Sequence, residues 1–301
     1  MLTEQRNPRS MNLHTLTIAE IVALINHEDE AVVAAVGHAL PDLAAFVRAV
    51  EPFFVAQPPA RSDPITFPGR LIYVGAGTSG RLGVLDASEA PPTFQVPEGR
   101  IVGIIAGGDR ALRRSSEGAE DQPDGARADL DALRLSIADS VLGIAAGGTT
   151  PYVLGALRFA RHAGSRTGLL TCAPIPRPPA CDHLIVLPTG PEIITGSTRM
   201  KAGSATKMAL NIISTALMVH SGRVYENLMV DVRARNAKLR DRAARIVSTL
   251  TGLAREPALS LLDRARGSVK VAIVMHRLRL SPAAAAQRLA RLGDRLDAAL
   301  A

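Results

Sequence analysis

The sequence contains no tryptophan, and aromatic residues make up only 3% of its 301 positions. Proteins that bind single-stranded nucleic acid stack bases on aromatic side chains, so this scarcity disfavours that function. The formal net charge of +7 would allow nucleic-acid binding by electrostatics alone. The basic residues of the C-terminal half, however, are spread around a helical segment and interleaved with acids, which is typical of a solvated helix face. We therefore expect no nucleic-acid partner.

Cysteine and long apolar runs are also scarce. Cys172 and Cys181 form neither a C-x-x-C pair nor a zinc-like cluster, which is typical of reduced thiols in a cytoplasmic protein. The seven histidines are scattered, so no metal site is visible. No apolar run reaches membrane-spanning length, and the N-terminal stretch MLTEQRNPRSMNLH lacks the apolar region of a secretory signal. We expect a cytoplasmic protein with no metal, no cofactor and no membrane contact.

The pattern of apolar residues divides the chain into three regions. Residues 1–69 have helical spacing, and Thr17-Ile-Ala-Glu20 is a capping box that predicts a helix start. Short β-rich runs then alternate with helical stretches or polar turns, at 71–74, 101–106, 141–146, 168–171 and 184–187. This alternation predicts an α/β domain over 70–235, with a parallel sheet between two helical layers. Residues 236–301 read as a small helical domain, with Ser268 and Ser281 as N-caps.

The first predicted strand is followed by a G-x-G-x-x-G pattern at Gly75, Gly77 and Gly80. A dinucleotide-binding loop of this form also needs an acidic residue at the end of the second strand, and that strand ends in Ala-Gly-Gly instead. We therefore disfavour a nicotinamide cofactor. Thr78 and Ser79 place hydroxyls where the loop becomes a helix, and a helix N-terminus of this kind binds phosphate.

Two further loops resemble this one in chemistry. Residues 147–151 follow the third strand with glycines and threonines before a helix that is opened by proline. Residues 195–204 combine hydroxyls with Arg199 and Lys201 ahead of an apolar helix. Each loop alone is also typical of a well-capped helix start. Three of them in one sheet, at strand ends where such folds bind ligands, favour a small anionic ligand rich in hydroxyls, such as a sugar phosphate.

Long stretches of the chain resemble the N-acetylmuramic acid 6-phosphate etherases. The resemblance is carried by LIYVGAGTSGRLGVLDASEAPPTF at 71–94, by GPEIITGSTRMKAG at 190–203 and by the later YENLMVDVRARNAKLRDRA. TEQRNPRSMNLHTLTIAEIVALIN and GSVKVAIVM are also similar to that family, so the resemblance covers nearly the whole chain. It implies a three-layer sandwich with a central parallel sheet, of the sugar isomerase (SIS) and flavodoxin-like type, a helical N-terminal segment and a small UBA-like C-terminal domain.

The resemblance also implies an activity. It predicts a cytoplasmic homodimer that removes the D-lactyl ether of N-acetylmuramic acid 6-phosphate during cell-wall recycling, giving N-acetylglucosamine 6-phosphate and D-lactate. When the sugar ring opens, the C1 aldehyde makes the C2 proton acidic. A base can remove that proton while an acid protonates the lactyl oxygen on C3, and water then adds. This route needs carboxyl groups and no metal or redox cofactor.

Two glutamates are the candidates for this proton transfer. The resemblance assigns the proton donor to Glu89, which we expect near the end of the first sheet helix, among apolar neighbours that raise its pKa, just before Pro91 and Pro92 end that helix. Without the resemblance, Glu89 would be an ordinary surface glutamate. For the second carboxylate, spacing leaves Glu117 and Glu120 open, and the resemblance selects Glu120.

The remaining candidate residues bind the substrate. We expect the 6-phosphate at Thr78, Ser79, Gly147, Gly148, Thr149 and Thr150, and the sugar or lactyl carboxylate at Ser197, Thr198 and Lys201. Lys201 could equally pair with Glu192. The family usually carries Ser-Gly-Arg-Thr-Pro at 147–151, so this chain lacks the serine hydroxyl at position 147 and the cation at position 149. A non-catalytic sugar-phosphate sensor and an aldose–ketose isomerase are alternatives, because both use the same loops on this fold.

Overall fold

The computed structural model describes residues 2–55, 69–232 and 237–301. The chain divides into two units. We call Met1–Ser88 with Gly99–Ser214 the sheet unit, and Glu89–Glu98 with Thr215–Ala301 the helical unit. The domain bounds expected from the sequence, 1–69, 70–235 and 236–301, stay a prediction.

The sheet unit is built around five parallel strands, which confirms the predicted fold class. They run in the order β2-β1-β3-β4-β5. Their bounds are β1 Leu71–Gly75, β2 Ile101–Ile105, β3 Ser140–Ile144, β4 Arg166–Thr171 and β5 His183–Val186. Chain order reverses between β1 and β3, with Leu71 opposite Ser140 and Gly75 opposite Ile144. In open α/β sheets the crevice beyond such a reversal is the usual ligand site.

Helices flank this sheet. Three short 3₁₀ turns, Leu2–Glu4, Pro8–Ser10 and Leu13–Thr15, precede the first α-helix. The Thr17–Glu20 capping box begins α1 as expected, with the Glu20 amide donating to Thr17 Oγ1 at 3.3 Å. The helices are α1 Ile18–His38, α2 Leu40–Val55, α3 Gly77–Phe94, α4 Glu117–Glu120, α5 Arg127–Ala132, α6 Pro151–His162 and α7 Lys201–His220. Helices α3 and α7 run on from the sheet unit into residues of the helical unit.

Helix α3 continues through Pro91 and Pro92 and ends at Phe94, so the prediction that these prolines end it is wrong. A proline removes its own amide donor but leaves its carbonyl available. The last turn is closed by the Gln95 amide, which donates to the Pro91 carbonyl at 3.0 Å.

Helix α6 packs very closely on the segment that follows α4. A Cβ atom added at Gly155 would lie only 1.6 Å from the Pro123 carbonyl oxygen, so no larger residue fits without moving one of the two backbones. The segment that ends α4 at Glu120 is thereby docked on the helix that opens at Pro151.

The helical unit contains a small antiparallel hairpin and a set of short helices around one apolar core. Ser268 and Ser281 cap their helices as predicted, accepting hydrogen bonds from the Val271 and Ala284 amides. The hairpin and the last helix had no clear sequence signal. The elements are β6 Val224–Tyr225, β7 Leu228–Met229, α8 Ala237–Thr251, α9 Arg255–Arg264, α10 Val269–Leu278, α11 Pro282–Arg291 and α12 Leu296–Leu300.

A buried lysine lies in the core of the helical unit. Lys270 Nζ donates to Asp231 Oδ2 at 2.9 Å and to the Asp294 carbonyl at 2.6 Å. Arg223 Nη1 lies 3.0 Å from the same Asp231 oxygen. Burial raises the pKa of Asp231 and outweighs the opposing effect of Lys270.

Among the described helices, none is by itself long and apolar enough to cross a membrane. The pair α1 and α2 meets that criterion by length and composition only, and it is bent by 51°.

Candidate functional site

A cavity of about 400 Å³ lies at the carboxyl ends of β1 and β3, where the order of the strands reverses. All of its lining residues belong to the sheet unit. They come from the N-terminus, from the loops after β1 and β3, from the end of α4 and from the loop before α7. They are Thr3, Glu4, Ala76, Gly77, Thr78, Ser79, Glu120, Asp121, Ile144, Ala145, Ala146, Gly147, Thr149, Thr150, Pro151, Gly196 and Thr198.

Two helix N-termini contribute to this cavity. Thr78 and Ser79 lie in the first turn of α3, and Thr150 is the N-cap residue of α6. The Thr150 hydroxyl makes no capping hydrogen bond, so it is not used to close the helix. The first amides of a helix lack intrahelical partners, and the helix dipole is positive there. The arrangement therefore suits a phosphate group.

The loop after β3 divides its residues between the ligand cavity and the turn. Gly147, Thr149 and Thr150 line the cavity, whereas Gly148 does not. Gly148 has a φ of +78°, and a Cβ atom there would lie 2.6 Å from Ile175 Cδ1. Gly148 therefore shapes the turn, and its predicted part in binding stays a prediction.

Glu120 is the predicted catalytic residue that the structure brings to this cavity. Its side chain is exposed at the end of α4, next to Asp121, which also lines the cavity. The described lining residues include no lysine or arginine. Hydroxyls, amides and carboxylates therefore dominate the surface that a ligand would meet.

Glu89 has a different setting. It lies on α3 but belongs to the helical unit, and its side chain is exposed. The expectation that apolar neighbours surround it is wrong for this chain. The role of Glu89 in proton transfer stays a prediction.

One turn before Glu89, the carboxylate of Asp86 is buried and fully hydrogen-bonded. It accepts hydrogen bonds from Tyr73 Oη at 2.9 Å, from Asn211 Nδ2 at 2.7 Å and from Ser214 Oγ at 3.1 Å. Burial, followed by the nearby Asp86 charge, raises the pKa of Tyr73 well above its ordinary value. Asp86 joins α3 to β1 and α7, a role that sequence reasoning missed because its partners are distant in the chain.

Lys201 does not contribute its side chain to the cavity, which corrects another prediction. Its ammonium is buried and donates to Glu28 Oε2 at 2.6 Å. The alternative partner, Glu192, accepts hydrogen bonds from the backbone amides of Lys201 at 3.1 Å and Ala202 at 2.9 Å. Glu192 therefore caps α7, while Lys201 joins α7 to α1. Of the other two residues predicted with it, Thr198 lines the cavity and Ser197 does not.

Glu28 is the centre of this buried network. Besides the Lys201 ammonium, it binds Asn7 Nδ2 at 2.6 Å and Arg9 Nη1 at 3.0 Å. Burial by itself would raise the pKa of Glu28, but the hydrogen bonds from Lys201, Asn7 and Arg9 and the Lys201 charge together lower it.

Both cysteine thiols are free and buried. Burial raises the pKa of Cys172 to about 12, so this thiol is protonated at neutral pH and is a poor nucleophile. Within residues 2–55, 69–232 and 237–301, no group of three or more His, Cys, Asp or Glu side chains is arranged to hold a metal ion.

Comparison with known proteins first identifies the class. The model of the glucokinase regulatory protein N-terminal SIS domain matches residues 59–161, which include β1, β2 and β3. The solved structure of a phosphoheptose isomerase from Francisella tularensis aligns with a TM-score of 0.43 and 15% identity, over 69% of this chain and 100% of that chain. The family-model match shows an SIS-type domain in the chain, and the five-stranded parallel sheet with its flanking helices gives an α/β fold.

Full-length relatives then identify the family. An N-acetylmuramic acid 6-phosphate etherase from Edwardsiella ictaluri is 51% identical over 276 residues, which cover 91% of this chain and 88% of the relative. Another, from Gloeobacter violaceus, is 50% identical over 301 residues, which cover 100% of this chain and 95% of the relative. The chain belongs to the N-acetylmuramic acid 6-phosphate etherase family.

Proposed function

We propose that this protein cleaves the D-lactyl ether of N-acetylmuramic acid 6-phosphate, giving N-acetylglucosamine 6-phosphate and D-lactate. The observation that carries the proposal is the cavity that joins two helix N-termini to the carboxylate of Glu120. The helix N-termini supply the phosphate site, and the carboxylate supplies acid–base chemistry. Relatives about 50% identical over the full length bear the name of this activity.

The cavity suits the 6-phosphate end of such a substrate. Thr78, Ser79, Thr149 and Thr150 place hydroxyls beside the first turns of α3 and α6. Phosphate binding there needs no cation from the lining residues, because free amides and the two helix dipoles supply positive potential. Binding energy from the phosphate can then hold the reacting carbons near the catalytic groups.

The carboxylates divide the proton transfers of an elimination followed by hydration. One removes the C2 proton of the open-chain aldehyde, while the other donates a proton to the lactyl oxygen on C3. Water adds to the unsaturated aldehyde, and the same groups return the protons. We assign these steps to Glu120 and Glu89 together, without deciding which one removes the C2 proton. General acid–base catalysis of this kind contributes about 10²- to 10⁴-fold per group.

We also propose a cytoplasmic homodimer. Helix α1 leaves Ile18, Val22 and Val33 more than half exposed, which is unusual for large apolar side chains on one helix. A second copy of the chain would cover this apolar surface. Sedimentation velocity of the purified protein tests this, and a monomer at micromolar concentration would contradict it.

The decisive experiment measures D-lactate released from N-acetylmuramic acid 6-phosphate by the wild type and by Glu89→Gln and Glu120→Gln. We expect each variant to lose about 10²- to 10⁴-fold in kcat. Glu98→Gln is the matched control for Glu89, because Glu98 is also exposed and lies in the same segment. Glu117→Gln tests the carboxylate that spacing left open. In deuterium oxide, the sugar product should carry deuterium at C2.

The two alternatives give different outcomes in the same experiment. A sugar-phosphate sensor would bind the product N-acetylglucosamine 6-phosphate and release no lactate. An aldose–ketose isomerase would interconvert sugar phosphates and also release no lactate. Either result would overturn the proposed function.

A further inference from the structure

We propose that Glu4 is a substrate-binding residue whose carboxylate accepts hydrogen bonds from hydroxyl or amide N–H groups of the sugar. This inference deepens the proposed function and rests on it. Glu4 lines the same cavity as Thr78 and Glu120, although it lies more than 70 residues before them in the chain. The N-terminal segment thus forms part of the wall of the site.

Direct contacts hold this segment at the cavity. The Thr3 carbonyl accepts a hydrogen bond from the Gly196 amide at 3.2 Å, and Thr3 is 1% exposed. Three residues after Glu4, the Asn7 side chain donates to Glu28 and, at 3.3 Å, to the Pro191 carbonyl. The segment is therefore anchored on both sides of Glu4, and chain ends are poorly ordered unless they are tied down in this way.

The Lys201–Glu28 pair extends this anchor into the sheet unit. Glu28 lies on α1 and binds both Asn7 and the ammonium of Lys201, the first residue of α7. The buried network thus connects the N-terminal segment to α1 and α7. Lys201 acts on the site indirectly, by holding Asn7 and through it the turn that carries Glu4.

The charge of Glu4 restricts what it can contact. Among the described residues, no lysine, arginine or histidine forms an ion pair with Glu4. A carboxylate beside a phosphate would repel it, and the groups that attract phosphate lie in the first turns of α3 and α6. Glu4 is therefore suited to neutral hydrogen-bond donors, which the sugar supplies as hydroxyls and as the acetamido N–H.

Gly196 leaves the space that Glu4 occupies. Its φ is +76°, and a Cβ atom added there would lie 3.1 Å from Glu4 Oε2. A side chain at this position would strain the backbone and crowd the carboxylate. The loop before α7 is thus shaped around Glu4 as well as around the ligand.

The test compares Glu4→Ala with Gln5→Ala, because Gln5 is the exposed neighbour that does not line the cavity. A hydrogen bond to a charged group corresponds to about a 10- to 100-fold effect on affinity. We expect Glu4→Ala to raise KM by that factor with little change in kcat, since the interaction is present in both ground and transition states. Glu4→Gln keeps a hydrogen-bond acceptor and should raise KM less than Glu4→Ala does. Gln5→Ala should match the wild type.

Two binding measurements separate a contact from a structural effect. By calorimetry, Glu4→Ala should raise the Kd for N-acetylglucosamine 6-phosphate by the same factor as it raises KM. The inhibition constant of inorganic phosphate should stay unchanged. The melting temperature should also stay unchanged, because the Glu4 side chain is exposed. Equal loss of phosphate inhibition, or a lowered melting temperature that accounts for the KM change, would overturn the proposal.

These results remain distinguishable from failure of the proposed function. If the wild type releases lactate and Glu4→Ala matches Gln5→Ala in both assays, Glu4 makes no substrate contact and the etherase activity stands. If the wild type binds the sugar phosphate without releasing lactate, and Glu4→Ala weakens that binding, the contact stands and the activity fails.

Discussion

The two buried lysines of this chain lie in similar positions but in different networks. Lys201 begins α7 in the sheet unit, and Lys270 lies in the first turn of α10 in the helical unit. A cation at a helix N-terminus is unfavourable with respect to the helix dipole, and a buried cation needs a carboxylate partner. Glu28 is that partner in one unit, and Asp231 with Asp294 in the other.

The two carboxylates differ in the balance between burial and hydrogen bonding. Glu28 accepts hydrogen bonds from Lys201, Asn7 and Arg9, and its pKa is lowered despite burial. Burial of Asp231 raises its pKa, although Lys270 and Arg223 both donate to its carboxylate. Supporting hydrogen bonds outweigh burial at Glu28, and burial outweighs the cationic neighbours at Asp231, so folding makes Glu28 harder and Asp231 easier to protonate.

The largest effect on stability is expected from Lys201→Met, which leaves Glu28 buried without its ammonium partner. Removing one member of a buried ion pair costs about 3–5 kcal/mol of the free energy of unfolding. Lys207→Met is the matched control, because Lys207 is exposed on the same helix. Urea denaturation measures the loss, and hydrogen exchange should rise first in residues 2–10. Equal stability of the two variants would contradict the role of the network.

A smaller loss, about 2 kcal/mol, is expected from Lys270→Met. Arg223 Nη1 stays 3.0 Å from Asp231 and its side chain is 26% exposed, whereas Arg9, the cation that stays beside Glu28, is 63% exposed and stabilises its partner less. Exposed Arg264 on α9 offers Arg264→Met as the control. Hydrogen exchange should increase in α10 and not in α1. A loss larger than that of Lys201→Met would reverse the comparison.

The pH dependence of stability should differ in sign between the two networks. A carboxyl group whose pKa is lowered by folding contributes stability that is present above its ordinary pKa and is lost as the pH falls through its folded pKa. The destabilisation caused by Glu28→Gln should therefore shrink as the pH falls below 4.5, the ordinary value for glutamate. For Asp231 the raised pKa predicts the opposite, so the destabilisation caused by Asp231→Asn should shrink as the pH rises above 3.8.

Denaturation curves of the wild type, Glu28→Gln and Asp231→Asn from pH 3 to pH 7, roughly the span over which carboxyl groups titrate in proteins, measure both slopes. If the destabilisation caused by Glu28→Gln and that caused by Asp231→Asn changed in the same direction with pH, the opposite pKa shifts of the two carboxylates would be contradicted.

The smallest effect is expected at the caps of the two helices that carry these lysines. Helix α10 is capped locally by Ser268 Oγ, which accepts from the Val271 amide at 3.3 Å, whereas α7 is capped by the distant Glu192. Ser268→Ala should cost about 1 kcal/mol of the free energy of unfolding. Ser268→Thr keeps the accepting oxygen and should restore most of it. If Ser268→Thr is as unstable as Ser268→Ala, Ser268 stabilises the protein by something other than capping α10.

The sequence was sufficient where a structural signal is local. The five strands are short β-rich runs bounded by turn residues, and all five lie where expected within two residues. The position of Thr78, Ser79 and Thr150 beside strand ends was also predictable, and phosphate binding by these loops stays a prediction. The Lys201–Glu28 pair was not predictable, since its members are 173 residues apart. Glu4 was missed for the same reason, because only the folded chain brings it to Gly196.

Gly155 shows how a residue without chemistry can be as constrained as one that performs it. Its backbone lies against that of Pro123, which follows Glu120, the last residue of α4, by three residues. This close contact helps to fix the position of Glu120. Even Gly155→Ala would push Pro123 away from α6 and shift Glu120 relative to the helix N-termini. A mutational scan scored on growth would therefore find Gly155 intolerant to substitution, although it lies outside the cavity. Read alone, such a scan would suggest a catalytic role for a residue whose role is to set a backbone contact.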